Sequence, residues 1–172
     1  MEEKSELLEL LEKADEINSA KFKINEVSDK IKNLEKTKES AMRIFDRNHN
    51  ICFYASDFGY RIYDMTEYGT LLDRHQETKA PYTLINNFVL DKIFNEDERR
   101  LIKRILKTDH LARSADTIGL MNPVGSNTKL WRLVKDKIYN GLDSVIANEK
   151  EYLNSYNEIY NEAQKEYEEM NK

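Results

Sequence analysis

One cysteine, two prolines and five glycines in 172 residues leave little room for several kinds of fold. With Cys52 alone, no disulfide can close within the chain and no cysteine cage can hold zinc. A reducing, cytoplasmic setting fits that usage. So few turn-forming residues disfavour an all-β architecture, in which every strand must end in a tight turn. No apolar run approaches the ~20 residues that a membrane-spanning helix needs. The N-terminal stretch MEEKSELLELLEK is acidic and amphipathic, the wrong chemistry for a secretory or transit segment. No membrane partner is expected.

Nor does any catalytic signature appear. There is no phosphate-binding glycine loop, dinucleotide fingerprint or nucleophile elbow. Asp57-Phe58-Gly59 matches three letters of a kinase signature without the glycine-rich or catalytic loops that give those letters meaning. The three histidines each stand near an aspartate (Asp46 and His49, Asp73 and His75, Asp109 and His110). Chains with this many acids produce such pairs by chance. The reading is therefore of a non-enzyme with no metal and no cofactor. The competing view is a small enzyme that gathers the central His and Asp residues with Cys52 in one pocket.

What is present is helical pattern and segregated charge. Between Leu7 and Phe45 there is neither Gly nor Pro. Leu10, Ile17, Ala20, Ile24, Val27, Ile31, Leu34, Ala41 and Phe45 recur at steps of three, four or seven, one stripe along a helix, interrupted at Lys13 and Lys38. The other end mirrors it. Ile138, Leu142, Val145, Tyr152, Tyr156, Ile159, Ala163 and Met170 define a second stripe, with Glu149 and Glu166 as polar breaks. Behind Ser126 or Asn127 as cap, that helix should begin near Thr128 and run about forty residues, with Gly141 as a candidate bend.

Neither stripe can stay exposed in water. The expected fold is mainly α: residues 1–47 and 128–172 pair as an antiparallel, coiled-coil-like stalk, and residues 48–127 form a central module within a single domain. A homodimer through the terminal helices would bury the same stripes. Ten of the 17 aromatics lie between Phe45 and Phe94, so the central module should hold the core. In residues 51–64, aromatic and β-branched residues flank Ser56-Asp57-Phe58-Gly59. A small β-hairpin fits there, as does an irregular helical segment. After Pro81 a helix is expected through Leu90 to about Phe94. Asn95 then opens another, with Glu98 at capping-box spacing, to about Lys107. Residues 119–127, with Pro123 between two glycines, read as a loop.

Charge is unevenly spread. Residues 99–137 balance to +7, against −7 for residues 1–98 and −5 for residues 138–172. Arg99, Arg100, Lys103, Arg104 and Lys107 share one helical arc, with Leu101, Ile102, Ile105 and Leu106 opposite. Lys129, Arg132, Lys135 and Lys137 would extend this face if the last helix lies alongside, and Trp131 among them could stack on a base or anchor an interface. Such a surface suits phosphates or an acidic protein patch. The alternative is an ordinary solvated face and a core tryptophan. A helix-turn-helix over residues 110–137 matches poorly, because its turn would be nine residues long. Protein and nucleic acid are the partners expected of the basic face, in an inhibitor, adaptor or regulator. A homo-oligomeric scaffold is the competing expectation. The tyrosines Tyr152, Tyr156, Tyr160 and Tyr167 belong first to the seam against the N-terminal helix.

Overall fold

The structure is a computed structural model, and it describes residues 5–47, 51–56, 58–64, 82–107 and 129–172. It is mainly helical. In chain order come α1 (Glu6–Arg47), β1 (Ile51–Ser56), β2 (Gly59–Asp64), β3 (Tyr82–Asn86), α2 (Asn87–Ile93), α3 (Glu96–Lys107) and α4 (Lys129–Met170). Both long helices run 42 residues, about 63 Å at the usual rise. The chain divides into two compact units, Met1–Leu34 with Ile146–Lys172, and Glu35–Val145. Parts of both long helices, residues 35–47 and 129–145, thus belong with the sheet.

In the first unit α1 and α4 pack against each other in antiparallel fashion. Lys13 Nζ meets Glu166 at 2.5 Å and Lys30 Nζ meets Glu149 at 3.0 Å. Advancing 17 residues on one helix is matched by retreating 17 on the other, so the register does not slip over about 25 Å. Between these pairs Ala20 and Val27 are buried, followed by Ile31 and Leu34, as the α1 stripe requires. On α4 the structure departs from the expected stripe. Ile146, Glu149 and Ala163 are buried and Leu153, Tyr156, Tyr160 and Tyr167 half-buried, whereas Tyr152 and Ile159 stand 56% and 46% exposed. Positions 149, 156 and 163 belong to both repeats; the partner helix selects which neighbouring column it covers. Glu149, expected as a break, lies inside the seam.

The second unit holds the larger core. β1, β2 and β3 form an antiparallel sheet in that order. Ser56 pairs with Gly59, so residues 51–64 are a hairpin with a two-residue turn. Gly59 has φ +148°, and a Cβ there would fall on the Ile85 carbonyl oxygen; the hairpin can return beside β3 only because the side chain is missing. Residues 82–86, expected as the start of a helix after Pro81, are a strand. Their alternating burial follows from pairing with β2: Thr83 and Ile85 turn inward beside Ile62 and Tyr60, while Tyr82 and Leu84 turn outward. Helix begins only at Asn87, where the Asn86 side chain accepts a hydrogen bond from the Val89 amide at 3.0 Å.

Val89, Leu90 and Phe94 join Tyr60, Ile62 and Ile85 in this core, together with Ile44 and Phe45 of α1 and Val134, Ile138, Leu142 and Val145 of α4. The helix through Gly141 is continuous, and its glycine serves a close approach: an added Cβ would collide with the Ile93 side chain, whose Cβ lies 3.1 Å away. Lys38, the second interruption of the α1 stripe, is answered by Asp143 and lies 4.7 Å from the centre of the Tyr139 ring.

Candidate nucleic-acid or protein interface

The basic helix α3 starts as its sequence specifies. The Glu98 amide donates to Asn95 Oδ1 at 2.8 Å and the Asn95 amide to Glu98 Oε1 at 3.0 Å, the reciprocal capping box. Glu98 also accepts from Lys137 Nζ at 2.5 Å, which ties the first turn of α3 to α4. Lys137, followed by the Asn95 amide, holds the Glu98 carboxyl below the ordinary carboxylate range.

From this anchor the predicted cations part company. Arg99 turns inward. Its guanidinium pairs with Asp91 and donates to Asn87 Oδ1 at 2.8 Å, and it lies 5.8 Å from the centre of the Tyr60 ring. It is therefore a link between α3, α2 and the sheet. Arg100 is exposed and pairs with Asp97 at 3.0 Å; Arg104 is exposed. Leu101, assigned from the sequence to the covered arc, is 50% exposed, and Ile102 is half-covered. The covered arc is rotated toward Arg99, because the two carbonyl and carboxylate acceptors on α2 supply polar partners that a leucine could not use. On α4, Lys129 and Arg132 are exposed and Lys135 half-exposed. The side chains of Lys103, Lys107 and Trp131 lie outside the described residues, as do His49, His75, His110 and the 119–127 segment.

The polar cluster beneath Arg99 escaped sequence reasoning. The Tyr60 hydroxyl and Arg99 Nε are buried without a hydrogen-bond partner among the described residues. Burial pushes the Tyr60 phenol up; the Arg99 side chain beside it opposes this, and Asp91 reinforces it. No sequence spacing marks this pair, since 39 residues and a strand crossing separate its members. Among the described residues, no group of three His, Cys, Asp or Glu side chains could hold a metal ion, and no helix is long and apolar enough to cross a membrane.

Among the described residues, Arg100 and Arg104 of α3 and Lys129 and Arg132 of α4 are exposed, Arg100 with Asp97 as its ion-pair partner. Charge of that kind can bind anions in extended contact. Comparison with known protein families, with curated proteins and with solved structures finds no match for this chain.

Proposed function

We propose that this chain is a non-enzymatic interaction protein, an inhibitor, adaptor or regulator of the cytoplasm. Its basic surface would engage nucleic acid or a nucleic-acid-binding enzyme. The observation that carries this reading is the outward set Arg100, Arg104, Lys129 and Arg132, all exposed within a stretch of local charge +7. Opposed charge of this density raises encounter rates and makes binding fall with salt. Arg99 does not belong to the contact set, because its guanidinium is turned inward onto Asn87 and Asp91. The sequence adds Lys103, Lys107, Lys135 and Trp131 to the candidate surface.

Support for a coiled-coil reading of the first unit comes from the heptad spacing of Leu10, Ile17, Ile24 and Ile31 against Ala20, Val27 and Leu34. Pairing within one chain is favoured over a homodimer, because Lys13 and Lys30 each find a carboxylate on α4. A parallel α1 pair would instead bring Lys13 against its own copy, and like charges at a seam repel. In this reading the central segment, rich in aromatics, supplies a module that carries the basic surface.

The test is charge reversal at Arg100, Arg104 and Arg132, sparing Arg99. Affinity purification of the whole chain from its native cell, with and without nuclease, should recover a partner that the triple-Glu variant loses while its thermal midpoint stays within a few degrees of wild type. Retention of the same partner by the variant would exclude this surface.

A further inference from the structure

The first unit carries a feature that the basic surface leaves unused. Leu7, Leu8 and Leu11 are 67%, 44% and 56% exposed, and Phe22 is 67% exposed. None belongs to the stripe that α4 covers. Leu8 and Leu11 lie on one outer side of α1 beside Leu7; Phe22, 14 residues and about 21 Å beyond Leu8, lies on the same side but is separated from them by Asp15. The leucines sit on formed helix and not on a frayed end: the Ser5 hydroxyl accepts from the Leu8 amide at 3.1 Å, and the Ser5 carbonyl accepts from the Glu9 amide at 3.1 Å.

The charge around this side of α1 is acidic at its N-terminal end and turns basic at Phe22, where Lys21 and Lys23 are exposed on either side, so only the stretch from Leu7 to Asp15 is of one sign. Residues 5–16 contain five acidic side chains and one lysine, and that lysine, Lys13, is taken by Glu16 and Glu166. Glu6, Glu9, Glu12 and Asp15 are exposed. On α4, four residues beyond Glu166 and therefore level with this end of α1, Met170 is 38% exposed between Glu168, Glu169 and solvent.

We infer that the outer face of α1 from Leu7 to Asp15 docks a basic amphipathic helix of a partner protein, whose apolar stripe covers Leu7, Leu8 and Leu11 and whose Lys or Arg flanks meet Glu9, Glu12 and Asp15. Other occupants fit worse. A second copy of the same face would set carboxylate against carboxylate, and nucleic acid or an anionic bilayer would meet the same repulsion. The mode is a helix laid along a helix, with anchors every three to four residues. This surface is separate from the basic one, so the two proposals stand or fall independently.

The probe is a fluorescein-labelled 18-residue Leu/Lys amphipathic peptide, with a Leu/Glu peptide of the same pattern as its counterpart, titrated with the full chain. Wild type should bind the Leu/Lys peptide and not the Leu/Glu peptide. Leu8→Ser with Leu11→Ser should weaken binding at least tenfold, and Glu9→Gln with Glu12→Gln should weaken it and flatten its salt dependence. Circular dichroism should show unchanged helix content in both variants, because the altered side chains are exposed. Absence of wild-type binding overturns the proposal. So does equal binding by the serine variant, which would mean charge attraction without a docking face. Sedimentation of the chain alone supplies a further arm: a dimer that the serine variant abolishes would assign the face to a second copy and overturn the proposed occupant.

Discussion

Replacing Lys30 by Ala removes the partner of the most buried charge in the first unit. The Glu149 side chain is 6% exposed and Lys30, 3.0 Å away, is 41% exposed. Stripping one partner from a fully buried pair costs about 3–5 kcal/mol, since the remaining charge is desolvated and unpaired. Lys30 reaches water, so its deletion opens a path for partial rehydration of the carboxylate, and the exposed end of a pair contributes little. The expected loss for Lys30→Ala is therefore about 2 kcal/mol, between these limits. Glu149→Leu should behave differently. It removes the desolvation cost along with the attraction, fills the seam between Ile146 and Leu153 with apolar volume, and leaves Lys30 solvated; the change should lie between neutral and about 1 kcal/mol stabilising. The double variant should recover most of what Lys30→Ala loses. Hydrogen exchange of amides in residues 20–34 and 146–163 reads this unit directly, independently of the larger core in Glu35–Val145. If Glu149→Leu destabilises as much as Lys30→Ala, the carboxylate is a required stabiliser and the reasoning fails. It also fails if Lys30→Ala changes nothing, for then the carboxylate has access to water that its burial denies.

Three further outcomes follow from the second unit. Gly141→Ala gains about 1 kcal/mol of helix propensity but drives a methyl into Ile93; a net loss of about 1–2 kcal/mol is expected by urea denaturation, reduced when Ile93→Ala is added. Tyr60→Phe removes a buried hydroxyl that has no partner among the described residues, so stability at neutral pH should be unchanged or up to about 1 kcal/mol higher. Because the folded-state phenol titrates above its ordinary value, its contribution is fully present below the unfolded pKa near 10 and declines as pH rises through the folded value; in Tyr60→Phe that alkaline decline, followed by thermal melts, should shrink. Asn95→Ala breaks the capping box and should cost about 1 kcal/mol; loss of exchange protection confined to the first turn of α3 would be its signature, and an unchanged protection pattern would count against the cap.

The amino-acid order alone determined the elements whose signal is local. Two long proline-free stretches at helical spacing specified helices, and Asn95 and Glu98 wrote their own cap, whereas residues 51–64 admitted either a hairpin or a helical segment until β3 paired beside them. Tertiary structure decided the rest. Residues 82–86 became a strand because β2 offered hydrogen-bond partners, which outweigh a helical tendency in five residues. Glu149 entered the seam, and Tyr152 and Ile159 left it, because two repeats overlap on α4 and only the α1 surface selects between them. Arg99 turned inward because Asp91 and Asn87 wait on a neighbouring helix, a pairing invisible to any helical wheel of α3. Periodicity records which residues share a face; what that face meets is a property of the other elements, and it is there that charge is either used internally or left for a partner.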